Sequence, residues 1–488
     1  MKHDFVVGKY TLESLTNGMY SSPLDLYREY IQNAVDSIDD AVSLGLITAK
    51  EARIDVTINT DQASLSVRDN GCGICVKQAE RTLIDIGNSK KNRVSSRGFR
   101  GIGRLAGLGY CNRLTFVTSA KGENQKTTIS FDANKLRQLL VPGMNQDDSI
   151  YDVIDAVVTK GVQPEKATEH YFEVVLHGID AQNNLLACDT IRDYLRQNAP
   201  LPFSPDFTWG STISEKLKMN GFVIPEYSIF LCFNGSWEQL YKPYRDTIVS
   251  DRIKRLNDNI RDIEVRVLGD PQSPLAILWY ASTNFYGTVI DSSIKGLRIR
   301  QGNILIGDNS TCSKMFKEER FNGWVIGEIH AMSNGLIANS RRDNFEQNLS
   351  YFSLNDAIRE CAAVITKELR HLSYARSLSE AKKAVIEAET IDDVNALCVE
   401  DMNFACDTDE FTLMNSGDAD LEAENDFVNK LSMILDQRNR HTRYAAININ
   451  DKLTHEQRRV LERVFDVICR EYDEETSQKF INTISRKF

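Results

Sequence analysis

Residues 28–36 read REYIQNAVD. An acid, an amide and a second acid recur at Glu29, Asn33 and Asp36, one turn apart if this stretch is helical. Ser22-Pro23 just upstream supplies a start signal, with Ser22 as cap, Pro23 in the first turn and Asp25 three residues on. On a helix, Tyr27, Ile31, Ala34, Ile38, Ala41 and Val42 share one side, and Asp25, Glu29, Gln32, Asn33, Asp36 and Asp40 share the other. Periodicity alone leaves two readings for that polar side: it faces water, or it lines a pocket.

The next segments bear on that choice. Residues 53–68, RIDVTINTDQASLSVR, alternate and break at Thr60-Asp61, which predicts a hairpin. The second strand runs straight into Asp69-Asn70-Gly71-Cys72-Gly73-Ile74, where two glycines require a sharp turn and permit close approach. A helical stretch, 76–86, follows. Then comes a basic, serine-rich loop, GNSKKNRVSSRGFRGIG, at 87–103, ending on Gly98, Gly101 and Gly103. Alone this glycine pattern is weak, because the dinucleotide-binding version follows a first strand. There is no Walker A motif, which excludes a P-loop NTPase.

The order Glu-x-x-x-Asn-x-x-Asp, Asp-x-Gly-x-Gly, Gly-x-x-Gly-x-Gly resembles the Bergerat-type ATP site of the gyrase, heat-shock chaperone, histidine kinase and MutL (GHKL) superfamily. That resemblance implies an α+β fold: an α/β-sandwich ATP-binding domain, an α/β middle domain and a mainly helical C-terminal region. It also implies roles. Glu29 would be the general base that activates the attacking water. Asn33 would hold Mg²⁺ at the phosphates through a neutral oxygen. Asp36 would support the site, and Asp69 would accept the adenine amino group, with Gly71, Gly73 and Ile74 shaping room for the base. Gly98, Gly101, Ile102 and Gly103 would present backbone donors to phosphate. Ser89, Lys90 and Arg100 are the expected phosphate contacts of the basic loop, which would close as a lid. The family often adds a threonine near the adenine. On the strand expected to match, His170 to Leu176, none stands at that place, although Thr168 is nearby.

Within the superfamily, three features are similar to the heat-shock chaperone branch. They are the run TNGMYSSPLDLYREYIQNAVDSIDDA at 16–41, the strand-like GLRIRQGNILIG at 296–307, and Asn339-Ser340-Arg341-Arg342-Asp343-Asn344-Phe345. The last resembles a middle-domain loop that brings a catalytic arginine to the γ-phosphate. Arg342 fits that role, with Arg341 second. The alternative readings are an ATP-regulated interaction switch in bacterial genome defence and a microrchidia-like clamp on DNA.

The expected divisions are 1–180 for the ATP-binding domain, 181–350 for the middle domain and 351–488 for the helical remainder. In the middle part, Asn234-Gly235 predicts a hairpin turn, and Glu264–Leu268 with Leu275–Tyr280 a second hairpin. Leu354, Ile358, Cys361, Ile365, Leu369 and Leu372 trace a helical stripe, and Thr454 to Tyr472 reads as the last helix.

A chain of 488 residues exceeds one core. Hydrophobic residues at 42% and charged residues at 26% fit an ordinary globular balance. No apolar run approaches the ~20 residues of a membrane span, and the scattered cysteines suit a reducing cytoplasm. Cys72 and Cys75 lack the second pair a zinc site needs. The net charge is −11, yet Ala384 to Asn429 holds fourteen acids and no Lys or Arg. Removing that segment's −14 leaves +3 on the rest, so an acidic total does not oppose an anionic ligand on the main body. The acidic segment reads as a solvated linker. The expected partners are a client or partner protein and, at least transiently, a second copy of the chain. Nucleic acid is the less favoured partner, and a membrane is not expected.

Overall fold

The computed structural model describes residues 22–85, 103–141, 149–251 and 253–377, and 461, 464–465, 467–468 and 472–485 in the last part. Two compact units comprise residues 1–363 and 364–488. The fold is α+β, with two large mixed sheets in the first unit.

Helix α1 (Asp25–Ser43) carries the opening motif. Its start differs in detail from expectation: the helical pattern begins at Asp25, after a turn. Ser22 still caps that turn, since its Oγ accepts from Leu24 N–H at 3.3 Å and its own N–H donates to Asp25 Oδ2 at 3.2 Å. The apolar side packs as the periodicity requires, with Tyr27, Ile31, Ala34, Ile38 and Ala41 buried and Val42 half-buried. Each large side chain removed from water there contributes about 1.5–3 kcal/mol.

The predicted first hairpin forms between β1 (Arg53–Asn59) and β2 (Ser64–Asp69), paired from Ile54–Asp69 to Asn59–Ser64. α2 (Val76–Ile84) follows, then a 3-10 turn, Gly103–Gly109. After these come β3 (Arg113–Ser119), β4 (Gln125–Asp132), α3 (Ala133–Leu139), α4 (Ile150–Val157), β5 (Val158–Pro164) and β6 (Tyr171–His177). The chain continues through α5 (Cys188–Asn198) and α6 (Trp209–Met219) to β7 (Ser228–Phe233) and β8 (Ser236–Gln239).

The first sheet has the order β5-β4-β3-β6-β2-β1-β7-β8. All neighbours are antiparallel except β1 and β7. Alternation sends Ile54, Val56, Leu65, Val67, Phe116 and Val174 to the helices, while Asp55, Thr57, Ser66, Arg68 and Glu173 stay partly exposed on the other face. The Asn234-Gly235 turn takes positive φ at both residues, +47° and +88°, and joins β7 to β8 as a tight hairpin.

β9 (Thr247–Ser250) and β10 (Leu256–Asn259) form a separate ribbon. The second sheet contains β11 (Asp262–Asp270), β12 (Ser273–Ser282), β13 (Gly296–Gln301), β14 (Ile304–Ile306) and β15 (Ile326–Ala331), in the order β11-β12-β15-β13-β14. The hairpin expected near 264–280 is β11–β12. Trp279, Ile213, Leu217, Ile263 and Ile277 centre the core between this sheet and α6.

α7 (Leu349–Ser377) buries Leu354, Ile358, Ile365 and Leu369, four of the six expected stripe positions, with Cys361 and Leu372 half-buried. In the second unit, Leu461, Phe465 and Ile481 pack together. The helix α8 (Glu474–Ser485) was not anticipated, although Asp473 marks its start by accepting from Thr476 N–H at 3.0 Å. The acidic segment and the Thr454 start lie outside the described residues. No described helix is long and apolar enough to cross a membrane.

Candidate functional site

The polar side of α1 is not a solvated face except at its end, where Asp40 is exposed. Asp25, Gln32 and Asp36 are buried, and Glu29 and Asn33 are half-buried. Tight packing fixes the helix in place. Tyr27 OH donates to the Leu185 carbonyl at 2.7 Å, and Tyr30 OH accepts from Gly107 N–H at 2.9 Å. A Cβ on Gly107 would lie 2.5 Å from that phenol oxygen, so the 3-10 turn reaches α1 only because this residue is glycine. The stretch that follows the glycine motif thus opens as 3-10, and both Gly103 and Gly107 lie close against α1.

Asp69 ends β2, buried, with Oδ1 accepting from Gly71 N–H at 2.8 Å. The loop beyond is held on three further sides. Cys72 N–H donates to the Ser37 carbonyl on α1 at 3.3 Å, and Ile74 N–H donates to Thr118 Oγ1 on β3 at 2.8 Å. His170 Nδ1 lies 2.7 Å from the Gly71 carbonyl. Gly73 has φ +63°, and a Cβ there would sit 1.8 Å from the Ser119 carbonyl. This is the close approach that the spaced glycines implied. Thr118 is fully buried and donates to the Tyr171 carbonyl at 3.0 Å, so it ties the loop to β6.

Gly103 abuts the opening motif directly, since a Cβ on it would lie 2.2 Å from Glu29 Oε2. The other oxygen of Glu29 faces a different segment: Arg342 Nε is 3.5 Å from Oε1, with side-chain exposures of 9% and 13%. Arg342 has φ +55° and sits in a loop closed by an Ala338–Phe345 bridge and an Asn339 N–H to Asn344 carbonyl bond of 2.9 Å. Arg341 is exposed, and its carbonyl accepts from Arg28 at 2.9 Å. Consecutive residues of α1 therefore meet consecutive residues of this loop. Asp25 supports the contact, 3.5 Å from Arg28 and accepting from Tyr194 OH at 3.1 Å.

Glu29, Gly103 and Arg342 are thus brought together, while Asp69, Gly71, Gly73 and Ile74 form the neighbouring loop over β3 and β6. Ser89, Lys90, Gly98, Arg100, Gly101 and Ile102 lie outside the described residues. The residues present fit a nucleotide with its ion. Neither side-chain polar atom of buried Gln32, beside Asn33, has a hydrogen-bond partner. Among the described residues no group of three or more His, Cys, Asp or Glu could hold a metal.

Residues 27–154 match the family model described as histidine kinase-, DNA gyrase B-, and HSP90-like ATPase. The chain carries a GHKL ATPase domain. It is 33% identical over 109 residues to a putative type II restriction enzyme HgiDII from Herpetosiphon aurantiacus, covering 21% of this chain and 16% of that protein. It is 25% identical over 141 residues to the chaperone protein HtpG of Geobacter sulfurreducens, covering 25% of this chain and 22% of that one. The matched stretch is therefore a minor part of either relative.

Four residues that hold this corner together carry no motif signal of their own: Arg28, Gly107, Thr118 and His170. Arg28 stands beside Glu29 in the opening motif, but its partner is a loop carbonyl near the far end of the unit. Thr118 has no motif. Its place depends on β3 lying beside β6, where Thr118 is paired with Phe172, and only the sheet order decides that.

Proposed function

We propose that the protein is an ATP-dependent molecular clamp of the heat-shock-chaperone-like type, a slow ATPase working in the cytoplasm. ATP would bind with its adenine at Asp69 and its phosphates at Gly103 and the glycine motif. Bound Mg²⁺, held at Asn33, would neutralise phosphate charge. Glu29 would orient and deprotonate the attacking water, and Arg342 would stabilise charge developing on the γ-phosphate. Binding would favour closure of two copies on a client or partner protein, and hydrolysis would release them.

The observation that carries this reading is the burial of Arg342 against Glu29 beside Gly103. An arginine stays charged in such a setting and matches phosphate bidentately. The similarity to HtpG supports the branch. The test is Mg²⁺-dependent ATP hydrolysis by wild type and Glu29→Ala, with nucleotide binding measured in parallel. Lost turnover with retained binding is expected, and wild-type turnover in the variant would overturn the mechanism.

The similarity to a putative restriction enzyme favours a second reading. Here the same ATP site would regulate an interaction switch or DNA clamp in genome defence. ATP-dependent, salt-sensitive binding to duplex DNA would support it, and no binding at low salt would remove the DNA clamp.

A further inference from the structure

The second sheet holds a buried ionic cluster with no part in the ATP site. Both Glu328 oxygens on β15 are fully engaged. Oε1 meets Arg300 Nε at 2.5 Å and Tyr244 OH at 3.1 Å, while Oε2 meets Lys242 Nζ at 2.6 Å and His330 Nε2 at 3.1 Å. Burial alone would raise the Glu328 carboxyl, but Arg300 and Lys242 hold it well below the usual carboxylate range. Such a cluster is tolerable inside a protein only when every charge is paired and hydrogen-bonded.

Its geometry points outward from β13 in two directions. Arg300 also donates to the Gln197 carbonyl on α5 and to the Asn303 carbonyl, each at 2.9 Å. The β13–β14 turn, Gly302-Asn303, has φ of +56° and +64° and is inserted against the first layer. Asn303 Nδ2 donates to the Pro225 carbonyl at 2.8 Å and the Leu201 carbonyl at 3.3 Å, and Ile304 borders Arg28, Ile31 and Tyr194. Toward the other side, Gln301 Nε2 donates to the Leu336 carbonyl at 2.7 Å, and Gly307 N–H donates to the Arg342 carbonyl at 2.8 Å. The hairpin thus touches both α5, which holds α1 through Tyr194 and Asp25, and the loop that carries Arg342.

We propose that the β13–β14 hairpin is a positioning element for hydrolysis. Arg300 and Asn303 fasten it to the layer bearing Glu29, and Gln301 and Gly307 carry that placement to Arg342. The hairpin's contacts on both sides then hold the two groups opposed. This rests on the reading that Glu29 and Arg342 serve ATP hydrolysis. Arg300 and Asn303 are positioning residues, since neither is placed on the nucleotide.

The test combines Arg300→Lys, which keeps the charge on Glu328 but loses the guanidinium fork, with Asn303→Gly, which keeps the positive φ but loses both carbonyl contacts. Each is measured alone and with Arg342→Ala, with folding followed by circular dichroism and thermal unfolding. Misplacing a catalytic group by a fraction of an ångström slows chemistry without weakening substrate binding. The expected result is therefore a kcat lowered about tenfold or more, with the KM for ATP within about twofold of wild type. In the Arg342→Ala background neither change lowers kcat further. If Arg300→Lys does not fold, Asn303→Gly alone decides. Wild-type kcat in folded Asn303→Gly would overturn the proposal, as would a full multiplicative loss on top of Arg342→Ala. If Arg342→Ala itself turns over like wild type, the hydrolysis reading fails first and takes this one with it.

Discussion

Arg342 Nε lies 3.5 Å from Glu29 Oε1, inside one compact unit, while Gly103 closes on the other carboxylate oxygen. A carboxylate and a guanidinium largely withdrawn from water hold each other in orientation, and the carboxylate also faces Gly103, where the glycine motif ends. If they act on one phosphate, removing either slows the chemical step and spares binding. Glu29→Ala is expected to lower kcat by about 10²-fold or more. Arg342→Ala is expected to lower it by about 10²-fold. The double variant should lose less than the product, measured by steady-state ATP hydrolysis.

Gly103→Ala tests the same corner without touching a charge. The added methyl would meet Glu29 Oε2 at 2.2 Å, so the carboxylate or the turn must shift. The expected result is a kcat reduced about tenfold or more, by the same misplacement logic. An alanine variant with unchanged kcat would mean the turn can withdraw from Glu29 at no functional cost.

Asp69→Asn addresses the base pocket. Asp69 is 2% exposed at the end of β2, and Gly71 N–H occupies one of its oxygens. Replacing the carboxylate by an amide can turn an acceptor into a donor toward the adenine amino group. ATP binding followed by calorimetry should weaken by about 1–3 kcal/mol, the cost of an unpaired buried polar group. Retained affinity would move the adenine elsewhere.

Thr118→Val removes a buried hydroxyl that accepts from Ile74 N–H and donates to the Tyr171 carbonyl. Shape is nearly kept, so the loss falls on two hydrogen bonds and on the loop they hold. Destabilisation of about 1–3 kcal/mol by urea unfolding is expected, with a raised KM for ATP. Equal stability and KM would leave Thr118 as simple packing.

His330 makes a pH prediction. Burial pushes its imidazole from the ordinary value of 6.5 down to about 4, against the opposing pull of Glu328. In the unfolded chain it binds a proton near its ordinary value. The unfolded state therefore binds more protons between about pH 6.5 and 4, and acidification through that window destabilises the fold. The full effect is about 3 kcal/mol, because each tenfold loss of proton affinity on folding is worth about 1.4 kcal/mol. His330→Gln should lose about that much less stability than wild type between pH 7.5 and 4, by chemical denaturation. Parallel pH profiles for the two proteins would contradict it.

The parts of this site legible in one dimension were those with local physics. The 3.6-residue spacing showed that α1 has two faces. Alternation and the Thr60-Asp61 break showed the β1–β2 hairpin, and the glycines at 71 and 73 showed a sharp turn that permits close approach. Asn234-Gly235 announced its hairpin because both residues accept positive φ. α8 escaped because its signal, a lone Asp473 cap, is shared by many turns.

Local patterning alone determined that Glu29, Asn33 and Asp36 share one side of a helix, followed at short range by an acid–glycine loop and a glycine-rich turn. Helical periodicity and glycine's missing Cβ act between near neighbours. Whether that side faced water or a pocket was decided only when the chain closed on itself. Arg28 donates to the carbonyl of Arg341, 313 residues away, and its neighbours Glu29 and Arg342 pair beside it. Contacts at that separation depend on which strands lie side by side and how tightly the β13–β14 turn packs against α5. Those are properties of the packed layers that no spacing along the chain encodes.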